Sequence, residues 1–444
     1  MKPQTTLEPR KIAARLSRLA RGADEEKATA RRPVHTVYGG AHLFRRDTAH
    51  RLGELALRAL SRHAPDAESL ATALGLDAAL ARPVYERVVE KLKREPVEDY
   101  RIDFEDGYGP RPDAEEDAHA AAAAEELARG FDEGLLPPFI GLRIKALDGA
   151  TARRGARTLD VFLTALVRRT KGRLPPNFRV TLPKVSRPEQ CRALAGLLSD
   201  FERAKRLSPG SIRAEIMVES PDALVGPDGA SPLRALHAAL GARADGVHFG
   251  AYDYTAACAV AASHQNLSHP ACVFARAAMQ AALYGTGAAL SDGATTILPA
   301  EPHRAEPGRP LTPEQERENA AAVRGAWRAH FDDASRTLAE GFDQGWDLHP
   351  AQLVSRHAAV YAFFLAGLPS ATRRLRGFLE RCAQATRAGG AFDDAATGRG
   401  LLNFFRRGLD CGALGESELA AAGVTAADLR SDSFHDLARR RGAP

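Results

Sequence analysis

Ala214-Glu215-Ile216-Met217-Val218-Glu219-Ser220-Pro221 is a short apolar run that ends on a carboxylate, and Ser220-Pro221 then supplies a helix cap and a first-turn proline. The same plan recurs in Gly246-Val247-His248-Phe249-Gly250-Ala251-Tyr252-Asp253: a β-type segment, a glycine, an acid. Strands that each lead into a helix imply a parallel sheet with right-handed crossovers. Two acids leaving neighbouring strands at the same level can share a divalent cation.

Working outward, strand patterns fall at Val34 to Gly40, Tyr100 to Phe104, Phe139 to Lys145, Arg179 to Val185, Ala214 to Glu219, Gly246 to Gly250, Ala294 to Leu298 and Gly345 to His349. Helical patterns lie between them: Asp47 to His63, Asp113 to Gly130, Thr158 to Arg169, Pro188 to Arg206, Pro221 to Gly241, Ala271 to Leu290 and Pro313 to Gly341. Eight strand-helix repeats favour a closed (β/α)8 TIM barrel over an open doubly wound sheet. The expected organisation is a polar N-terminal arm over residues 1–32, a barrel over 33–369 with a helical insertion near 64–98, and a C-terminal helical extension over 370–444 beginning after Pro369. Gly39-Gly40 lacks the GxGxxG spacing and no GxxxxGK[ST] occurs, which argues against a nicotinamide or P-loop nucleotide site.

The net charge of +5 comes from basic residues interspersed with acids, without the aromatic interleaving of a nucleic-acid face, so no nucleic-acid partner is expected. Five cysteines without a CxxC pair suit a reducing cytosol, and a cytoplasmic location is expected. No apolar stretch reaches the ~20 residues that span a bilayer, so no membrane association is expected either.

In a barrel of this kind the reactive groups stand at the C-terminal ends of the strands. Strand period puts Asp103 and Glu105 on one face, opposite Ile102 and Phe104, with Asp106 following. Arg143 and Lys145 share a face of the third strand, Lys184 ends the fourth, Glu219 and Asp253 come from the fifth and sixth, and His349 closes the circuit. Acids facing Arg and Lys across one rim are electrically balanced only if they converge or a metal joins them.

Ile102-Asp103-Phe104-Glu105-Asp106 resembles the acidic strand motif of the citrate lyase beta subunit and malyl-CoA lyase family, in the phosphoenolpyruvate/pyruvate barrel superfamily. Leu182-Pro183-Lys184-Val185, Glu219-Ser220-Pro221-Asp222-Ala223-Leu224, Phe249-Gly250-Ala251-Tyr252-Asp253-Tyr254 and His349-Pro350-Ala351-Gln352-Leu353 are similar to its later motifs, in the same order. The resemblance implies that Glu219 and Asp253 hold Mg²⁺, or Mn²⁺ in its place, and that Arg143 grips a substrate carboxylate or carbonyl oxygen. It further implies catalytic roles for Asp103, Glu105, Asp106 and Lys184 around these groups, and substrate contacts at Gly250, Ala251 and His349. The activity implied is a metal-dependent carbon-carbon lyase or aldolase acting through an enolate on a small 2-oxo or hydroxy carboxylic acid, by a homo-oligomer. The C-terminal extension does not match the lid that helps bind coenzyme A in some relatives, which leaves open whether the acid is free or a CoA thioester.

Blander readings stand beside these. Acids and bases at strand ends form structural salt bridges, Lys184 can pair with Glu105, and His349 can fix a strand end. A desolvated Lys184 can be a Schiff-base nucleophile, while His248, His264 and His269 lack HExxH spacing for zinc. The rival functions are phosphoryl transfer on an enolpyruvate by the same barrel, and a catalytically silent barrel that binds a protein partner.

Overall fold

A computed structural model describes residues 31–387 and 395–431. Eight parallel strands close into a barrel in sequence order: β1 His35–Gly40, β2 Asp99–Asp103, β3 Phe139–Arg143, β4 Phe178–Leu182, β5 Arg213–Val218, β6 Ala244–Phe249, β7 Ala289–Ala294 and β8 Gln344–Asp347. β1 closes the ring, pairing β2 through Gly40 and Asp103 and β8 through Val37 and Asp347, and the register shifts once between β5 and β6 and once between β7 and β8. This is the (β/α)8 barrel expected. Helices fall where composition favours them, as in Asp113–Glu133, whose first turn carries three acids against the helix dipole and whose end is capped by Gly134 at φ 69°.

The chain divides into two compact units, one being Pro33–Leu368, which holds the barrel, and the other including residues 369–387 and 395–431. In the barrel unit the segment near 64–98 forms the helices Ala67–Leu74 and Ala78–Arg94. Most of the polar arm expected over residues 1–32 lies outside the described residues. No helix among the described residues is long and apolar enough to cross a membrane.

Three sequence expectations are corrected. The seventh strand is Ala289–Ala294, not Ala294 to Leu298, and the helix before it stops at Leu283 because Gly285 and Gly287 take left-handed φ values of 73° and 74°. Thr296-Ile297-Leu298 has the higher β propensity, yet Ile297 and Leu298 are exposed, and pairing with β6 and β8 decides the matter. The helix expected over Pro221 to Gly241 is broken by a turn in which Gly226 N–H donates to the Ala230 carbonyl and Gly229 has φ 76°. Pro369 marks the division between the units but does not end the helix, which runs from Gln352 to Arg387 with the proline inside it.

The outward faces of the strands supply the apolar core beneath the helices, with Ile102, Leu142, Val180, Ile216, Val218 and Phe249 all fully buried. Each such side chain contributes about 1.5–3 kcal/mol. The inward faces are polar instead. Arg101 donates to both oxygens of Glu215, at 2.8 and 3.0 Å, and also pairs with Asp99. Glu215 lies 3.4 Å from His248 Nε2, whose Nδ1 shares a 2.9 Å hydrogen bond with the Tyr38 hydroxyl. Buried charges are tolerable only when saturated in this way. The column therefore forms a rigid floor under the mouth of the barrel.

Candidate active site

Arg143 ends β3 on that floor, 2 % exposed. Its guanidinium lies over the Tyr38 ring at 4.8 Å and the Trp346 ring at 5.5 Å, and forks onto Asp103 of β2 through Nε (2.7 Å) and Nη2 (2.6 Å). Asp103 also accepts from the Glu105 and Gly107 N–H groups, at 2.9 and 2.7 Å, so its acceptors are spent on holding Arg143 and the following turn. One nitrogen is left facing the rim: Nη1, 3.2 Å from Glu105 and 3.7 Å from Asp106.

Across the mouth, Glu219 follows β5, and Asp253 stands in the first turn of the helix Ala251–Ala257 after β6. With Asp106 from the turn after β2 they form an acid cluster, one carboxylate oxygen of each lying within 4.8 Å of the others. Glu219 is buried, with Oε2 accepting from Lys184 N–H at 2.6 Å. Burial pushes its carboxyl up to about 8, against the pull of Arg143 and with the added repulsion of Glu105. Gly250 makes this placement feasible, because a Cβ there would lie 2.4 Å from Glu219 Cγ.

Lys184 adopts φ 52°, a left-handed conformation costly for a lysine, and this sends its backbone N–H to Glu219 and its ammonium to the acids. Nζ is 2.5 Å from Glu105, 3.1 Å from Asp106 and 3.9 Å from Asp253. Burial works against the charged lysine, but Glu105 and Asp106 outweigh it and raise its pKa, which leaves no free amine for a Schiff base. Burial raises Glu105 as well. Asp106 is lowered: burial opposes this, but its hydrogen bond with Glu105 and the nearby Arg143 and Lys184 prevail.

The structure thus brings together Asp103, Glu105, Asp106, Arg143, Lys184, Glu219 and Asp253. Gly250 abuts Glu219, and the Ala251 side chain is buried, so only its backbone is available to a ligand. His349 follows β8, its Nδ1 accepting from Ala351 N–H at 3.2 Å and capping the start of the next helix. Sequence reading missed Tyr38, Trp346 and Met217 under Arg143. The signal was strand parity, since Met217 lies between Glu215 and Glu219 on the inward face.

The donor set fits a divalent ion. Oxygen ligands from three carboxylates suit Mg²⁺ or Mn²⁺, and a cation there would offset the burial that raises Glu219.

Fold and mouth together define a (β/α)8 barrel protein whose C-terminal opening carries an acid cluster beside a clamped arginine. Residues 14–437 match the family described as DUF6986, a domain of unknown function, and the chain belongs to that family. No curated protein matches it. Among solved structures it is similar to a citrate lyase from Burkholderia xenovorans LB400, with 19 % identity over 89 % of this chain and 97 % of that one and a TM-score of 0.53. It is also similar to a Haloferax volcanii malate synthase in a lead(II) complex (16 % identity, 76 % and 74 % of the two chains, TM-score 0.45). A third is an HpcH/HpaI aldolase/citrate lyase family protein from Burkholderia cenocepacia J2315 (13 %, 81 % and 99 %, 0.38). At such identity the likeness to the citrate lyase bears on the fold.

Proposed function

We propose that the protein is a divalent-metal-dependent carbon-carbon lyase or aldolase acting on a 2-oxo or hydroxy carboxylic acid, akin to the citrate lyase beta subunit and malyl-CoA lyase family of the phosphoenolpyruvate/pyruvate barrels. The observation that carries this reading is the convergence of Asp106, Glu219 and Asp253 within 4.8 Å of one another, beside Nη1 of Arg143, which faces the rim 3.2 Å from Glu105. When bound there, Mg²⁺ or Mn²⁺ would supply Lewis acidity toward the 2-oxo oxygen of the substrate.

The remaining chemistry belongs to the chain. Arg143, fixed on two sides by Asp103 and from below by Tyr38 and Trp346, presents Nη1 to the oxygen on which negative charge grows as the carbon-carbon bond breaks. Preorganisation matters here, because a donor held in place need not reorient during the reaction. The Lys184 N–H orients Glu219, and the Lys184 ammonium offsets Glu105 and Asp106 at the rim.

The proposal extends to a cytosolic homo-oligomer with a small-molecule partner. Calorimetric titration with MnCl2, followed by oxalate as a planar enolate mimic, tests it. One ion per chain and oxalate binding that requires that ion are expected. Oxalate binding unaffected by Arg143→Gln, or no ion uptake, would refute it.

A further inference from the structure

A cleft of about 420 Å³ opens at the mouth between the ends of β1 and β8 and the helix Thr48–His63. No residue of the acid cluster lines it, but two residues of its wall touch the groups that build the acid site. Tyr38, which carries the Arg143 guanidinium on its ring, forms part of the wall, as does Gly107, whose N–H is bound to Asp103. The rest of the wall is largely apolar and includes Leu43, Leu52, Tyr100, Leu348 and Leu353. Leu43 is 67 % exposed and Leu348 39 %, so part of this apolar surface stands uncovered beside the reactive groups.

Two arginines edge the cleft, and both are already engaged. Arg45 donates to the carbonyls of His42 and Phe44, at 3.4 and 2.7 Å, and Arg51 donates to Asp47 at 2.7 Å. Recognition in this space therefore rests on apolar contact more than on charge. Its volume lies in the range of sites that enclose ligands well beyond the size of a three-carbon acid.

Resting on the reading of the mouth as an oxo-acid site, we propose that the substrate carries an apolar arm, an alkyl chain of about four carbons or an aryl ring, which lies in this cleft against Tyr38, Leu52 and Leu348 while its acid head faces Arg143. The arm makes the cleft the element that selects among acids sharing the same head.

The test is calorimetric titration of the full chain, in MgCl2, with pyruvate, 2-oxohexanoate and phenylpyruvate. Each buried methylene tightens binding about fourfold, so 2-oxohexanoate is expected to bind at least tenfold more tightly than pyruvate. Leu52→Trp, which fills the cleft, is expected to erase that gain while leaving pyruvate unchanged. Leu43→Ser changes an exposed side chain and so spares the fold; it is expected to reduce the gain about threefold. Equal affinities along the series, or a Leu52→Trp variant that weakens pyruvate as much as the longer acids, would overturn the proposal of an arm alone. Failure of every acid to bind, pyruvate included, would overturn the reading of the mouth and the arm with it.

Discussion

Replacing Glu219 by Gln separates what this residue costs the fold from what it does for the site. Its carboxyl is pushed from 4.5 up to about 8, chiefly by burial. Between those values the native state keeps a proton that the unfolded chain has released, so the contribution of Glu219 is most favourable below about pH 4.5 and is lost as pH rises through 8. At pH 7 the linkage amounts to about 3 kcal/mol against the metal-free protein. An amide resembles the protonated acid in shape, and its oxygen can still accept the Lys184 N–H. The Glu219→Gln variant, stripped of metal, is therefore expected to be more stable than wild type at pH 7, by up to about 3 kcal/mol, and equal to it near pH 4.5. Urea unfolding in chelator at several pH values measures the difference. Added MnCl2 should raise the stability of wild type and leave the variant unmoved. A variant that is less stable than wild type at pH 7 without metal, or that is stabilised by Mn²⁺ to the same extent, would refute the reasoning.

Gly250→Ala should weaken Mn²⁺ binding tenfold or more and cost about 1–3 kcal/mol of stability, because the new methyl would lie 2.4 Å from Glu219 Cγ while the backbone, at φ −92°, accepts alanine; calorimetry and thermal melts report the two effects. Arg143→Lys should retain the charge but lose the fork onto Asp103, and a drop of about a hundredfold in kcat with intact ion binding is expected; steady-state kinetics on the active substrate would show it. Burial holds the His357 imidazole down at about 3, with Nε2 donating to the Pro96 carbonyl at 2.9 Å. The unfolded chain takes up that proton first, so stability is complete above the ordinary value of 6.5 and declines below it, by about 2 kcal/mol at pH 5; comparing urea midpoints at pH 7 and 5 with those of His357→Gln, which cannot titrate, checks the slope.

Where strands are regular, alternation along the chain is enough to place side chains on the inward face. Arg143 and Glu219 are inward because parity carries from Gly141 and from Glu215 and Met217, and their level follows from where each strand stops. Asp106 escaped that logic. β2 ends at Asp103, and the next residues form a turn closed by Tyr108 N–H and Gly109 N–H on the Glu105 carbonyl, which swings Asp106 toward Glu219 and Asp253. A period of two has no meaning beyond the last ladder residue. β7 was misplaced for a related reason: Ala-Leu-Ser-Asp-Gly-Ala has weak intrinsic strand character and is a strand because two neighbours need a partner to close the ring. Glu215 lay in the most legible stretch of all, yet its bond to Arg101 depends on a contact across the barrel that no local pattern announces.

Charge balance favours the mouth of this polar barrel as the place for the proposed ion. In the column below, Asp99 and Glu215 share Arg101, and His248 Nε2 stands 3.4 Å from Glu215, so the buried carboxylates there have partners already in place. At the mouth, five carboxylates, those of Asp103, Glu105, Asp106, Glu219 and Asp253, face two cations, Arg143 and Lys184. Three negative charges remain if all the acids ionise, and the proton kept by Glu219 lowers the deficit to two. A divalent cation bound in place of that proton brings the three negative charges down to one. Its binding must also displace the Glu219 proton, because the ligating form is the carboxylate. Ion uptake at pH 7 should accordingly release close to one proton per chain, read as a dependence of the binding enthalpy on the ionisation heat of the buffer. Uptake with no proton release would mean that the ion sits away from Glu219.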